Sequence, residues 1–252
     1  MVTTVDLNSD MGEGYGPWKM GDDAALLDIV TSANIACGMH AGDPHVMART
    51  MKMALDKGVG IGAHPGFDDL HGFGRHRLKR TPEELTNLVT YQLGAAQAMA
   101  RAMGGQVRHL KLHGALANMC SEDLDMARTC YSAALAVDPD IVVMVLAGTQ
   151  QQRAMEELGG TWAGEIFADR AYNDDATLVD RSLPGAVLHD AATAAPRILK
   201  MLQEDAIIAE SGKRIPARIN TICLHSDTPE AVEMARELRR LLTEAGVTLE
   251  KL

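Results

Sequence analysis

The sequence predicts an α/β protein with a parallel sheet and crossover helices, and three observations predict it. Short β-branched runs alternate with longer amphipathic stretches about seven times over the full length. No Pro/Ser-rich linker, low-complexity segment or internal repeat divides the chain, so residues 1–252 read as one domain. A closed (β/α) barrel of the TIM type typically takes about 250 residues, which this chain supplies. An open doubly wound sheet is the rival that periodicity leaves standing. No G-x-G-x-x-G follows the first strand, which counts against the dinucleotide-binding version of that sheet.

In chain order, the strands are expected at Thr3–Asn8, Val30–Ala36, Gly60–His64, Arg108–Leu112, Ile141–Ala147, Ala163–Ala168 and Asn220–Leu224. The helices between them are expected at Ala24–Asp28, Pro44–Asp56, Thr81–Met103, Glu122–Ala136, Gln150–Leu158, Asp190–Glu210 and Pro229–Ala245. Capping signals support several of these. "TPEE" at Thr81, "SEDL" at Ser121 and "DTPE" at Asp227 place an oxygen-bearing side chain before a helical run, two of them with proline at the first helical position. Gly58, Gly104 and Gly246 stand where helices should stop.

Composition removes several functions. Lys and Arg number 24 against 34 Asp and Glu, a formal charge of −10, and no basic cluster with interleaved aromatics offsets it. Such a chain is repelled by phosphate backbones, so nucleic acid is not an expected partner. The four cysteines, Cys37, Cys120, Cys130 and Cys223, form no C-x-x-C pair. The opening "MVTTVDLNSD" lacks a basic segment followed by an apolar one, and the strongest apolar run, "IVVMVLAG", is far too short to span a bilayer. The expectation is a cytoplasmic protein with reduced thiols and no membrane contact.

Chemistry collects after the strands. "DLNSDMGEGYGPW" carries Asp6, Asn8, Asp10 and Glu13; "NIACGMHAGD" carries Cys37, His40 and Asp43; "GAHPGFDDLHGFGR" carries His64, Asp68 and Arg75. "HLKLHGAL" adds Lys111 and His113, "EIFADRAY" adds Glu165, Asp169 and Arg170, and "CLHSD" adds Cys223, His225 and Asp227. In parallel α/β proteins the C-terminal ends of the strands are where loops converge and ligands bind. Helix N-termini point the same way and favour an anion.

Taken singly, each residue has a plainer role. One buried histidine is more often a satisfied core residue than a ligand, but His40, His64, His113 and His225 gather at four converging strand ends. Asp6 and Asp10 suit a glycine turn held by side-chain to backbone bonds, and Asp227 suits a helix cap. Cys37 and Cys223 read as small buried hydrophobes, and the fifteen methionines as core. His45, His71, His76 and His189 read as surface or structural. The combination permits hydrolysis: a carboxylate or imidazole moves protons, and Lys111 or Arg170 holds an oxyanion or a carboxylate. Histidines with Asp10 also form a donor set for a water-activating divalent ion. H-E-x-x-H, G-x-S-x-G and G-x-x-x-x-G-K-[ST] are all absent, and Gly212-Lys213 lacks the upstream glycine.

These segments, with "TSANIACGMHAGDP" and "ICLHSDTPEAV", closely resemble the LamB/YcsF family over Asp6 to about Val232, in unchanged order. The resemblance implies a seven-stranded variant of the TIM barrel, related to glycoside hydrolases and deacetylases. It implies a 5-oxoprolinase reaction, in which the lactam ring of 5-oxo-L-proline is opened to L-glutamate while ATP, as its Mg complex, is cleaved to ADP and phosphate. Members work with subunits B and C. Carried onto this chain, the expected catalytic residues are Asp10, His113, Asp6 and Asp169. The expected substrate-binding residues are Asn8, Glu13, His40, His64, Lys111, Arg170 and His225. No residue is assigned to a metal. Ser9 stands where the family often has cysteine, Leu112 replaces a proline, Ala117 a tyrosine and Ser226 a glycine, changes that bear on the pocket rim more than on its charges. Two other readings of the pocket are a metal-dependent deacetylase acting on an amino sugar, using Asp10, His64 and His113, and a non-catalytic module that binds the lactam.

Overall fold

The structure, a computed structural model, describes residues 4–188, 190–224 and 231–252. The chain runs β1 (Thr4–Met11), α1 (Asp23–Leu26), β2 (Ser32–Ala36), α2 (Pro44–Asp56), β3 (Gly60–His64), α3 (Pro82–Ala102), β4 (Val107–Lys111), α4 (Gly114–Glu122), α5 (Leu124–Val137), β5 (Val142–Leu146) and α6 (Gln150–Leu158). It continues through β6 (Trp162–Phe167), α7 (Ala191–Glu204), β7 (Ala206–Ile208), β8 (Arg214–Pro216), β9 (Thr221–Leu224), α8 (Ala231–Glu244) and β10 (Thr248–Leu249).

Strands β1, β2, β3, β4, β5, β6 and β9 pair in that order, all parallel, and β9 pairs back onto β1. Asn8 illustrates the closure, lying in register with Ser32 on one side and Cys223 on the other. The result is a closed seven-stranded barrel, as the family resemblance implies. Strands of four to eight residues suffice because they are buried on both faces, inside by barrel-filling side chains and outside by helices. On α3, Leu85, Val89, Leu93, Ala96 and Ala100 repeat at helical spacing and are buried. They pack toward α5, whose buried Ala127, Cys130 and Ala134 are small enough for close approach. Thr81 forms the capping box that "TPEE" predicts, exchanging hydrogen bonds with Glu84.

Three expectations need correction. β1 does not stop at Asn8 but runs to Met11, so Ser9 and Asp10 belong to the strand. The helix expected over Glu122–Ala136 is two helices, with the break at Asp123; there the backbone is extended and the carboxylate caps Asp125 and Met126. The cap is therefore Asp123 and not Ser121, and the helix over Gly114–Glu122 is one that the sequence pattern does not announce. The helix expected over Asp190–Glu210 ends at Glu204, because Asp205 turns left-handed (φ 47°) into the antiparallel pair β7–β8. The helix expected from Pro229 begins within the described residues at Ala231, and the cap expected at Asp227 lies outside them. Among the described residues, no helix is long and apolar enough to cross a membrane.

Candidate active site

A strand alternates its side chains, so every second residue of each barrel strand points inward. On β1 these are Asp6, Asn8 and Asp10, and they organise the interior in stacked layers. At the bottom, Asp6 accepts hydrogen bonds from Thr31 Oγ1 (2.6 Å), Ser32 Oγ (2.7 Å) and Thr221 Oγ1 (2.5 Å). Burial raises its pKa against those three donors. One layer up, Asn8 Nδ2 donates to Glu165 Oε1 (3.0 Å) and Thr221 Oγ1 (2.7 Å). Asn34 Nδ2 donates to Asn8 Oδ1 (2.7 Å) and to Asp10 Oδ1 (2.9 Å), and its own oxygen lies 2.7 Å from His109 Nε2.

Lys111 crowns these layers. Its ammonium, 4% exposed as a residue, donates to Asp10 Oδ1, contacts Glu165 Oε1 and donates to Cys223 Sγ, each at 2.9 Å. Burial opposes the charge, yet the Asp10 and Glu165 carboxylates outweigh it and hold the lysine protonated. Burial also raises the Cys223 thiol well above its ordinary range, so it is a neutral sulfur at the lysine. Reading Cys223 as a mere apolar filler is thus corrected.

Above and beside Asp10 stand three histidines. His64 Nε2 lies 3.3 Å from Asp10 Oδ2 and 3.0 Å from His113 Nδ1. His64 Nδ1 lies 2.8 Å from the Lys111 carbonyl, and His113 Nε2 lies 2.8 Å from the Phe73 carbonyl. A carbonyl only accepts, so each of those nitrogens carries the proton. His40 stacks flat on His113, with ring centroids 3.7 Å apart and planes 5° from parallel. Glu13 Oε1 closes the group, 3.5 Å from His40 Nε2 and 3.6 Å from His113 Nδ1. Burial, reinforced by neighbouring histidines, drives the pKa values of His40 and His113 well below the ordinary one, so both rings are neutral. Glu13, His40, His64 and His113 present ligand atoms within 4.8 Å of one another, and all four are buried.

Asp10, Glu13, His64, Lys111 and His113 open onto a cavity of about 390 Å³. Phe73, Leu112, Phe167, Leu178 and Val179 give it apolar walls, and Arg75, Arg77, Arg170 and Arg181 line it as well. Arg170 is fixed by bonds from Nε to the Ala186 carbonyl (3.3 Å) and from Nη2 to the Val179 carbonyl (2.6 Å). Burial, then the nearby Arg181, lowers its pKa from the usual guanidinium value. Helix α4 brings its first turn to the cavity: the His113 N–H bonds the Pro65 carbonyl and the Ala115 N–H bonds the Gly74 carbonyl.

The structure thus brings Asp10, Glu13, His40, His64, Lys111, His113 and Arg170 together. Asp6 is not brought to the cavity: it sits two inward positions below Asp10 with three hydroxyl partners, which corrects its place among the catalytic residues. Asn8 lies between them and, among the described residues, reaches the site through Asn34, Glu165 and Lys111. Asp169 is buried next to Arg170 but does not line the cavity. His225 falls outside the described residues. Asn34, His109, Arg77 and Arg181 are not singled out by the sequence, and Glu165, Cys223 and Arg75 are noted there without a catalytic or binding role. The alternation on β4 could have found His109, two places before Lys111. The arginines lie in loops, where no period marks them.

The chain matches the LamB/YcsF family over residues 5–252. It is 66% identical over 248 residues to the 5-oxoprolinase A subunit of Ruegeria pomeroyi, covering 98% of each chain. The lactam utilization protein of Thermus thermophilus superposes with a TM-score of 0.92 at 39% identity, over 99% of this chain and all of that one. The peptidoglycan deacetylase PdaC of Bacillus subtilis shares the fold at a TM-score of 0.50 and 12% identity, over 100% of this chain and 88% of that one.

Proposed function

The chain belongs to the LamB/YcsF family, and from that membership and the cavity's chemistry we propose that it is the A subunit of an ATP-dependent lactam hydrolase that opens 5-oxo-L-proline to L-glutamate. The observation that carries the reading is a carboxylate, Asp10, bonded to the Lys111 ammonium at the floor of a cavity lined by four arginines.

A five-membered lactam resists water because its amide is resonance-stabilised and ring opening gains little. Transfer of the γ-phosphoryl of ATP to the ring oxygen leaves ADP and weakens that resonance. Water then adds to the ring carbon, the C–N bond breaks, the nitrogen takes up a proton and the product is an acyl phosphate. A second water releases phosphate and leaves the side-chain carboxylate of glutamate. In this scheme Arg170 and Arg75 hold the substrate carboxylate and the phosphoryl oxygens, being suited to bidentate contact with both. Asp10 takes the proton from the attacking water. Lys111, engaged below, fixes the position of Asp10. The chain has no P-loop motif, so Mg-ATP is assigned to partner subunits B and C.

The test uses an extract lacking this chain but otherwise competent, supplied with labelled 5-oxoproline. It would receive wild-type protein, Asp10→Asn or nothing, each with and without ATP. ATP-dependent glutamate release restored by wild type, and reduced about 100-fold or more by Asp10→Asn at unchanged folding, is the expected result. Equal restoration by the variant would reduce the chain to a lactam-binding module. Equal behaviour of all three supplements would remove the activity from this chain.

A further inference from the structure

We infer that Glu13, His40, His64 and His113 form a binding site for one divalent transition-metal ion. The inference begins with proton positions. His64 and His113 each spend their N–H on a backbone carbonyl, of Lys111 and Phe73 respectively. The ring nitrogens that remain, His64 Nε2 and His113 Nδ1, face one another at 3.0 Å. Two carboxylate oxygens converge on the same spot, Asp10 Oδ2 at 3.3 Å from His64 and Glu13 Oε1 at 3.6 Å from His113. Nitrogens and a carboxylate oxygen gathered this closely make a place that suits a positive species, proton or metal ion.

A shared proton would relieve the His64–His113 pair alone. His40 argues for more. It is wholly buried, and among the described residues neither ring nitrogen has a hydrogen-bond partner, an arrangement that is costly without a compensating ligand. Its Nε2 lies on the cluster side, 3.5 Å from Glu13 Oε1. Bonds of about 2.0–2.2 Å from a zinc-like ion place ligand atoms about 3–4 Å apart, and the separations of 3.0, 3.5 and 3.6 Å fall in that range. A ligating histidine characteristically donates its second ring nitrogen to a carbonyl or carboxylate, and both His64 and His113 do so. Three imidazoles and one carboxylate suit zinc, cobalt, iron or nickel better than magnesium or calcium. Glu13, His64 and His113 also line the cavity, so the ion would polarise an oxygen at its floor.

The test needs neither lactam nor ATP, so it stands or falls apart from the proposed reaction. Full-length protein stripped with a chelator would be loaded with Co²⁺ or Zn²⁺, desalted and analysed for metal, with the Co²⁺ visible spectrum recorded. Wild type should retain one ion per chain, with a cobalt spectrum of nitrogen-rich coordination. His64→Ala and the isosteric Glu13→Gln should each weaken binding at least tenfold at unchanged circular dichroism, whereas His76→Ala at an exposed histidine–aspartate pair should not. Folded wild type that retains no ion, or retention unchanged in both site variants, would overturn the inference.

Discussion

At the scale of single residues, Lys111 shows how the interior is held together. Its three N–H groups are matched to Asp10, Glu165 and Cys223, and the Phe167 ring lies 5.0 Å from the ammonium. A buried ammonium survives there because two carboxylates surround it, and those carboxylates survive because of the ammonium. Lys111→Met keeps the approximate shape but leaves Asp10 and Glu165 as buried anions without their cation. Breaking a buried pair from one side costs about 3–5 kcal/mol, so the variant should unfold at correspondingly lower urea concentration. Lys111→Met paired with Glu165→Gln should recover part of the loss, since one orphaned charge is then removed. A double-mutant cycle by urea denaturation checks both the loss and its partial recovery; strict additivity would mean that the two side chains do not depend on one another.

At the scale of elements, the segment between β3 and α3 sets the site. Gly74 has φ +63°, and a Cβ there would lie 2.7 Å from His40 Cβ and 2.8 Å from His113 Cδ2. Gly74→Ala therefore combines a left-handed backbone with a clash against the stacked rings, and should cost about 2–4 kcal/mol in urea denaturation. Gly94→Ala provides the contrast within α3. It has open space around the added methyl and an ordinary helical backbone, and should stabilise the protein by about 0.5–1 kcal/mol. Alternation and capping chemistry made the barrel strands and most outer helices legible. The failures share a cause. Helix α4 follows a strand directly and starts after His113 without a side-chain cap, so no capping signal in the sequence marks its start. Asp123, which reads as part of a helix, instead breaks one and caps the next. At β1, the strand continues through Ser9 and Asp10 because the neighbouring strands supply partners for a polar interior, something local hydrophobicity cannot announce.

At the scale of the whole molecule, a chain of formal charge −10 concentrates Arg75, Arg77, Arg170 and Arg181 around one cavity. A cleft with low-dielectric walls focuses that local field, so an anion is drawn to it despite the overall charge. Convergence of motifs on the strand ends was readable because the parallel topology puts all those ends together. The meeting of arginines was not, because loops far apart in sequence bring them there, nor was the polar ladder below. That ladder has a measurable signature at low pH. His109 sits inside the barrel, hydrogen-bonded through Nε2 to Asn34, and burial, with Lys111 close by, lowers its pKa from 6.5 to about 3. Between those two values the unfolded chain binds a proton that the native state refuses. Stability therefore rises with pH across that window and is lost as the pH falls below 6.5, by about 1.4 kcal/mol per pH unit once the unfolded group is fully titrated. His109→Gln removes this group while keeping a donor for Asn34. From pH 6.5 to 5, wild type should lose about 1.5–2 kcal/mol more than the variant in urea denaturation. Asp6 and Asp23, whose pKa values burial raises, contribute with the opposite sign, but equally in both proteins, so the difference isolates the histidine. Parallel loss in the two proteins would place His109 in contact with water and open the barrel interior to solvent.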